Sequence, residues 1–598
     1  MPLLVVAVLV VAVHLVTALG AWTGVGLLAD DHFMVGCAKL RHDGVLTLDH
    51  SFRPAPVGDA AVALYRPFLD VAFWLEQPCF GIDAFGYHVT NSLLHCGTAL
   101  LWFVLVRRWC GSVLVAAATA LLFVGWPGHS EATHWIAART NVLSTFLLGL
   151  ALLAHDSGLA RRGAASWLLL AVGGLSAVLA IGTKESAVFV VPVAAALSWT
   201  QATGGLLPRL RRVMATTGPM VLGAGIWLCW RAHCLGTWGT GTAYGWKAHR
   251  IDATACRDWA NVLLAPAHAA YTPGWAAMLL GTMHVALLVL ALAALRLPAV
   301  RRAAAPTGVL LALGYLAGIG LERLDVGTLE NVRYTYEPAL GLCAWCALGL
   351  LSLPASARLP VLAVLLALHA FVLDANRQSW LRVAKVYERM RGEVLATART
   401  TQAPLRVFDA PGIHDGAFGY MNAPSEFLFW QRTAPPGTEL RGAVSSSLEW
   451  TTATQELAAA VAATQTQLPM ASYTVRWTDG ALVPFALDTR WPEQPWSGTT
   501  IGYARTARER PFVGTALPVH VVLQTQEDVT LRVRAEVGGR KHFGGAVAVA
   551  AGANTAVALS VTLDAGAVEG VPVAISLCVE QRDRAHVYPL GDVVPANR

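Results

Sequence analysis

Long apolar runs broken by short polar turns fill the first 375 residues of the chain. Runs of suitable length lie at roughly 3–28, 87–106, 112–127, 141–160, 164–182, 186–200, 214–232, 274–297, 305–321, 337–353 and 359–375, about eleven in all. A spanning helix needs ~20 apolar residues, because ~30 Å of hydrocarbon is crossed at ~1.5 Å per residue. The runs at 112–127 and 186–200 are short, and read as kinked or incomplete spans. After Asn376 the pattern changes. Leu405-Arg406-Val407-Phe408-Asp409 opens a small α/β segment, and a helix is expected at about 452–467. Alternating runs such as His520-Val521-Val522-Leu523-Gln524 and Thr530-Leu531-Arg532-Val533-Arg534, with others at 546–562 and 572–579, predict strands of a β-sandwich.

The expected fold is therefore a polytopic α-helical membrane protein with a C-terminal extracytoplasmic α/β plus β-sandwich domain. The expected division is 1–385 in the membrane, 386–510 as the α/β segment and 511–598 as the sandwich. Of the 598 residues, 55% are apolar and 14% charged, against about 25% charged in an ordinary soluble domain. This excludes a disordered chain and argues against a purely soluble one. No helical repeat of fixed period, heptad or low-complexity segment is present.

Charge placement gives an orientation. Residues 1–375 hold 23 Lys/Arg and 18 Asp/Glu, and residues 376–598 hold 21 and 20. One set of turns carries Arg107, Arg108, Arg161, Arg162, Arg209, Arg211, Arg212, Arg296, Arg301, Arg302 and Arg358 with a single acid, Asp156. Short basic turns face the cytoplasm, so the N-terminus is expected inside. An odd number of spans then puts the C-terminal domain outside. A signal peptide is the competing reading of residues 1–28, but there is no basic segment before the run and the run is long. The net charge of +6 belongs to the cytoplasmic turns, so nucleic acid is not an expected partner. The Ala-, Gly- and Arg-rich composition suggests a bacterial source and an inner-membrane location.

Cysteines in outer loops allow the disulfides Cys37–Cys79 and Cys234–Cys256. Cys343 and Cys346 sit within an apolar run and read as buried packing residues. Trp238, Tyr244, Trp246, Lys247, His249 and Trp259 in the loop 233–273 read as an interfacial aromatic belt, or as a stacking surface for a sugar or head group.

The chemistry gathers on the outer face. Asp30-Asp31-His32 follows the first run directly. Two adjacent carboxylates beside a membrane raise each other's pKa, and one can serve as a base towards a hydroxyl; a solvated N-cap is the plainer reading. Later outer turns carry His129-Ser130-Glu131 with Arg139, then Thr183-Lys184-Glu185, then Arg333-Tyr334. Arg139, Lys184 and Arg333 are suited to clamp a lipid-linked phosphate. The competing reading is local ion pairing, Lys184 with Glu185 and Glu131 with Arg139. His88, Asn91 and His95 share one helical face; interhelical hydrogen bonding fits them better than a metal site.

Blocks of residues carry a resemblance. Asp30-Asp31, then Tyr65-Arg66-Pro67-Phe68, then Phe85-Gly86-Tyr87-His88-Val89-Thr90-Asn91-Ser92-Leu93-Leu94-His95, then His129-Ser130-Glu131 with Trp135 and Arg139, resemble the protein O-mannosyltransferase superfamily. Thr183-Lys184-Glu185, Arg333-Tyr334 with Pro338, and Asn376-Arg377 with Trp380 continue it. The likeness covers roughly residues 1–385 and is strongest to the membrane portion of the transmembrane tetratricopeptide O-mannosyltransferases and their bacterial relatives. It implies a GT-C type glycosyltransferase that takes a sugar, such as mannose, from a polyprenyl phosphate on the exoplasmic face. By motif, Asp30 is the implied base, with Asp31 orienting or sharing its role. Arg139, Lys184 and Arg333 are the implied phosphate ligands. His129 and Glu131 shape the donor pocket, to which Arg66, His88, Asn91, Glu185 and Tyr334 are added.

The chain departs from that family after residue 385, where the 34-residue helical period is missing. Protein, glycan and lipid acceptors all stay open. The implied reaction requires no cofactor, although the adjacent acids are compatible with a divalent metal. A polar-lipid transporter or flippase and a non-catalytic membrane scaffold are the rival classes. A transporter should show inverted repeats and mid-membrane charge, whereas here charge clusters at one boundary.

Overall fold

The computed structural model describes residues 2–44, 47–53, 65–236, 253–321, 326–400, 405–408, 413–414, 417–418, 444–446, 473–478, 481–484, 499–506, 516–525, 528–537, 540–550, 554–562, 573–581 and 584–593. It divides into two compact units: Met1–Lys385 with Asp415–Ala417, and Val386–His414 with Phe418–Arg598.

The first unit is helical. Its elements are α1 (Pro2–Gly24), α2 (Asp30–His42), α3 (Pro67–Phe80), α4 (Ala84–Cys110), α5 (Val113–Val124), α6 (Ser130–His134), α7 (Arg139–Leu159), α8 (Ala164–Thr183), α9 (Val190–Gln201), α10 (Leu206–Leu235), α11 (Ala253–Leu264), α12 (Gly274–Ala294), α13 (Pro298–Leu321), α14 (Tyr336–Gly349) and the start of α15 (Ala355–Thr400). Local sequence explains the breaks. Asp83 caps α4 by accepting from the Phe85 N–H (3.0 Å). Gly111 ends α4 at φ +71°, a left-handed conformation that costs glycine little. Ser112 then caps α5 by accepting from the Val115 N–H (3.3 Å). A two-residue turn thus joins two membrane helices.

Among the described residues, eight helices are long and apolar enough to cross a membrane: Leu3–Gly24, Ala84–Cys110, Ile136–Leu159, Ala164–Thr183, Leu206–Leu235, Gly274–Ala294, Pro298–Ile319 and Ala355–Glu393. The pair Val113–Val124 and Pro127–His134, bent by 43°, makes nine if counted as one span. Pro127 lacks the N–H that would continue the helix, which accounts for a break there. The protein is thus an integral membrane protein, but eleven uniform spans are not what is seen. The runs expected at 186–200 and 337–353 fold as α9, of 12 residues, and α14, of 14 residues. Each carries a 3₁₀ turn at one end, Glu185–Phe189 before α9 and Leu350–Ser352 after α14.

The largest apolar core among the described residues joins α4, α5, α7 and α14 through Trp102, Phe123, Leu148 and Leu340, all buried. Helices approach closely where side chains are small. A methyl added at Gly341 would stand 2.6 Å from the Thr307 carbonyl oxygen, so α14 meets α13 backbone to backbone. Cys343 and Cys346 are buried in the same helix, in the packing role expected of them. All ten cysteines are free thiols, so neither Cys37–Cys79 nor Cys234–Cys256 is bridged. The Cys234 thiol instead contacts the Phe52 carbonyl oxygen at 3.9 Å. Trp259 is buried against Ile319 and Val332, not placed in an interfacial belt. The other aromatic residues of that loop, Trp238, Tyr244 and Trp246, lie outside the described residues with Lys247 and His249.

The strands after the first unit's helices are β1 (Leu405–Phe408), β2 (Ile413–His414), β3 (Ala417–Phe418), β4 (Val444–Ser446), β5 (Tyr473–Thr478), β6 (Ala481–Pro484), β7 (Thr499–Thr506), β8 (Ala516–Thr525), β9 (Val529–Val537), β10 (Arg540–Phe543), β11 (Val547–Val549), β12 (Asn554–Thr562), β13 (Val573–Gln581) and β14 (Arg584–Val593). A mixed sheet runs β4-β1-β5-β6, parallel between β4, β1 and β5. Antiparallel sheets run β12-β8-β7 and β10-β9-β13-β14, with β11 on β9. Their inner faces share one core, with Val519 and Val521 of β8 and Leu559 of β12 on one side and Leu531, Val533 and Leu577 on the other. The period-2 alternation supplies these inward positions. The three-stranded sheet includes β7, which begins at Thr499, ahead of the boundary expected at 511. The helix expected at 452–467 lies outside the described residues.

Candidate functional site

Asp30 and Asp31 open α2 after Ala29, whose φ of +47° is unusual for a residue with a side chain. The two acids fare differently. Asp31 is buried and both its oxygens are taken. Oδ2 accepts from the Leu28 N–H at 2.9 Å, and Oδ1 accepts from the Ala137 N–H at 2.6 Å. Burial pushes its carboxyl well above the usual aspartate range, and the neighbouring Asp30 adds to this, while those backbone N–H groups pull it back. Asp30 is half-buried and stands at the edge of this turn. The pair therefore splits into a carboxylate that fastens the turn and one nearer the surface.

Trp135 extends the connection. Its indole N–H donates to the Leu28 carbonyl oxygen (3.3 Å), and its ring lies beneath the Arg333 guanidinium at 5.2 Å. Arg333 also pairs with the buried Glu131, through its guanidinium and through its backbone N–H (2.9 Å for the latter). The guanidinium lies 4.7 Å from the Tyr334 ring, and the Lys184 ammonium lies 5.4 Å from that same ring. Lys184 donates to both oxygens of Glu337, at 3.0 and 3.3 Å, and the Ser186 hydroxyl also donates to Glu337 at 3.0 Å. Burial pushes the Lys184 ammonium below the usual lysine range against the pull of Glu337. Arg66 donates to Glu185 at 2.9 Å, and Arg231 of α10 stands 3.6 Å from that carboxylate.

Arg139 is differently placed. Its Nε donates to Asn91 (2.6 Å), its second terminal nitrogen donates to the Tyr87 carbonyl oxygen (2.8 Å), and its first pairs with Glu76. The guanidinium lies 4.6 Å from the Phe73 ring. Of the candidate cations, Arg66 and Arg333 expose 22% and 17% of their side chains, Lys184 exposes 6% and Arg139 none. Arg139→Ala is expected to cost about 3–5 kcal/mol, because Glu76 and Asn91 lose their partner inside the fold. A melting curve in detergent checks this, and a wild-type midpoint would refute it.

The expected local ion pairs are not formed. Lys184 takes Glu337 in place of Glu185, and Glu131 takes Arg333 in place of Arg139. A carboxylate next in sequence to a helix C-cap points elsewhere, while turns from distant helices meet at the bundle end. Glu76, Arg231, Ser186 and Glu337 join these contacts although no motif in the sequence marks them. Nothing local in the sequence ties Glu337 to Lys184, 153 residues away. His88 donates through Nε2 to the Val25 carbonyl oxygen (2.9 Å), and Asn91 donates to that of Ile136 (3.4 Å). His95 donates through Nε2 to the Val124 carbonyl oxygen (3.2 Å) and accepts through Nδ1 from Tyr336 (2.7 Å). The shared helical face thus makes interhelical hydrogen bonds. Its neighbour His129 is buried among Phe123, Trp126, His95 and Tyr336. No group of three or more His, Cys, Asp or Glu able to hold a metal occurs among the described residues.

No family model matches the chain. It is 32% identical over 133 residues to protein O-mannosyl-transferase tmtc2 of Xenopus laevis, which is 22% of this chain and 16% of that protein. It is 30% identical over 124 residues to protein O-mannosyl-transferase Tmtc1 of Drosophila melanogaster, or 21% of this chain and 14% of that one. The chain thus spans about a sixth of the length of these curated relatives. Among solved structures, it is similar to ArnT of Cupriavidus metallidurans bound to undecaprenyl phosphate. The TM-score is 0.44 and the identity 15%, over 80% of this chain and 97% of ArnT. It is also similar to the oligosaccharyltransferase AglB of Archaeoglobus fulgidus in complex with an inhibitory peptide and a dolichol-phosphate. There the TM-score is 0.42 and the identity 10%, over 100% of this chain and 98% of AglB. The chain resembles the protein O-mannosyl-transferases, as its residue blocks imply.

Proposed function

We propose that the protein is a GT-C type membrane glycosyltransferase that moves a sugar from a polyprenyl phosphate to an acceptor hydroxyl, with inversion. The convergence of the Asp30 turn and Arg333 on one side chain, Trp135, is the observation that carries this reading. A base and a phosphate ligand must stand on either side of one sugar, and here one indole meets both Arg333 and the backbone of the turn that leads into Asp30.

Asp30 takes the proton of the acceptor hydroxyl, whose oxygen attacks the anomeric carbon. The bond from that carbon to the phosphate oxygen breaks, and polyprenyl phosphate leaves as an anion that needs no protonation. Arg333 and Arg66, the more exposed cations, hold that phosphate and offset the charge growing on it. Lys184 and Arg139 are positioning residues in this reading, because burial and their own partners occupy them. Asp31 fixes the turn. Glu131 orients Arg333, Glu185 orients Arg66, and Tyr334 spaces Arg333 from Lys184.

Eleven crossings with the N-terminus inside and the C-terminal unit outside remain the orientation we favour. The 3₁₀ turn Glu185–Phe189 plus α9 spans about 28 Å, and α14 plus Leu350–Ser352 about 27 Å. Both lengths approach the hydrocarbon thickness. The relatives support a mannosyl group and a protein acceptor, in a bacterial inner membrane by composition.

Purified protein incubated with radiolabelled polyprenyl-phosphate sugars tests the proposal. Label should move from lipid to water or acceptor with at least one donor. Intact donor throughout the panel, by a protein that melts cooperatively, would refute it and favour a transporter or scaffold. Arg333→Ala is expected to raise the donor KM and lower kcat together, by about a hundredfold in kcat/KM, since the phosphate is contacted before and during transfer. An unchanged donor KM would remove Arg333 from the phosphate.

A further inference from the structure

The opposite end of the bundle holds a cavity of about 570 Å³ that the proposed reaction does not use. It opens where α4, α7 and α9 end and α13 begins, and its polar lining includes Arg108, Trp109, Asp156, Arg161, Gln201 and Arg302. Along α4, Arg108 stands about 30 Å of helix away from His88, so the cavity is a membrane thickness from the Asp30 turn.

The charges in it are unequal. Asp156 is enclosed by donors: Arg108 at 3.3 Å, the Trp109 indole at 3.3 Å and the Gln201 amide at 3.0 Å. Arg108 also donates to Ser157 at 2.9 Å. The acid is thus neutralised by one arginine and fixes that wall. Arg161 and Arg302 are exposed, and neither has an acidic partner among the described residues. Two guanidinium forks facing a cavity with its single acid already satisfied make a receptor for an anion with several oxygens, and a phosphate fits that geometry.

The depth of the site points to the source of the phosphate. Trp167, near the start of α8, and Trp199, near the end of α9, both reach the surface at this end of the bundle. Exposed tryptophans at helix ends sit at head-group level. Basic pockets between membrane helices at that level on the basic side take anionic head groups. We propose that this cavity binds the phosphate of an anionic lipid in the leaflet opposite the Asp30 turn, with Arg161 and Arg302 as ligands and Asp156 with Arg108 as the fixed wall.

The test uses the full chain in nanodiscs of phosphatidylcholine containing phosphatidylglycerol, with lipid retention measured after detergent washing. Wild type should retain phosphatidylglycerol, and R161A/R302A about a hundredfold less, at about tenfold for each charge-assisted contact to the phosphate that is lost. Both side chains are exposed, so the variant should melt as wild type does; R161Q/R302Q provides a second version of the same loss. R211A/R212A removes two arginines of the same basic side that do not line the cavity, and should retain lipid as wild type does. Equal retention by wild type and R161A/R302A would overturn the site, and so would equal loss in R211A/R212A. If soluble sn-glycerol 3-phosphate stabilises the wild type and phosphatidylglycerol does not, the lipid assignment falls.

Discussion

Asp30→Asn should lower sugar transfer about a thousandfold while the protein still folds and binds donor. General base catalysis contributes roughly 10²–10⁴-fold, and an amide of the same shape cannot take the proton of a hydroxyl. The half-buried position of Asp30 makes the change cheap for the fold. Asp31→Asn should behave in the opposite way. Both Asp31 oxygens accept backbone N–H groups, and an amide would turn its NH₂ towards one of those donors. The loss of one buried acceptor costs about 1–3 kcal/mol, so its melting midpoint should fall, and activity with it. Donor turnover and thermal midpoints of the two variants check this together. An active Asp30→Asn would remove Asp30 as the base, and an Asp31→Asn with a wild-type midpoint would show that the turn does not depend on that carboxylate.

Glu337→Ala should destabilise the protein by about 3–5 kcal/mol, the usual penalty for leaving one member of a buried ion pair alone. The Lys184 ammonium is buried, and Glu337 accepts it at 3.0 and 3.3 Å. Removing the acid leaves a cation whose pKa is already pushed below the lysine range by burial, so part of the loss would appear as deprotonation of Lys184. Stability should therefore recover partly as pH rises, since the neutral amine is easier to bury. The double change Lys184→Met with Glu337→Leu removes both charges and should regain most of the lost stability. Melting of the four proteins in a double-mutant cycle measures the coupling. Additive effects would mean that the pair does not act as a unit.

How much of this was legible beforehand varies by element. Span positions at 87–106, 141–160, 164–182 and 214–232 followed from hydropathy, and α4, α7, α8 and α10 stand at those places. Arg333 and Tyr334, neighbours in sequence, share one 3₁₀ turn. The pairing of Lys184 with Glu337, 153 residues away, did not follow from local sequence. Nor did the burial of Arg139 by Glu76, which α3 supplies. Glu185, next to Lys184 in sequence, pairs with Arg66 instead, because the turns of separate helices meet in space.

By itself, the sequence determined the membrane character, the place of the long helices and the one-sided basic turns. Each of these depends on local composition or on the cost of moving charge through hydrocarbon. Tertiary structure alone decided which carboxylate of Asp30-Asp31 is fastened, which cations keep exposed faces, and which acids satisfy the others. Those outcomes depend on where distant helix ends meet. An ion pair gains from a few ångströms of separation in space and nothing from separation along the chain, so spacing in the sequence carries no record of it.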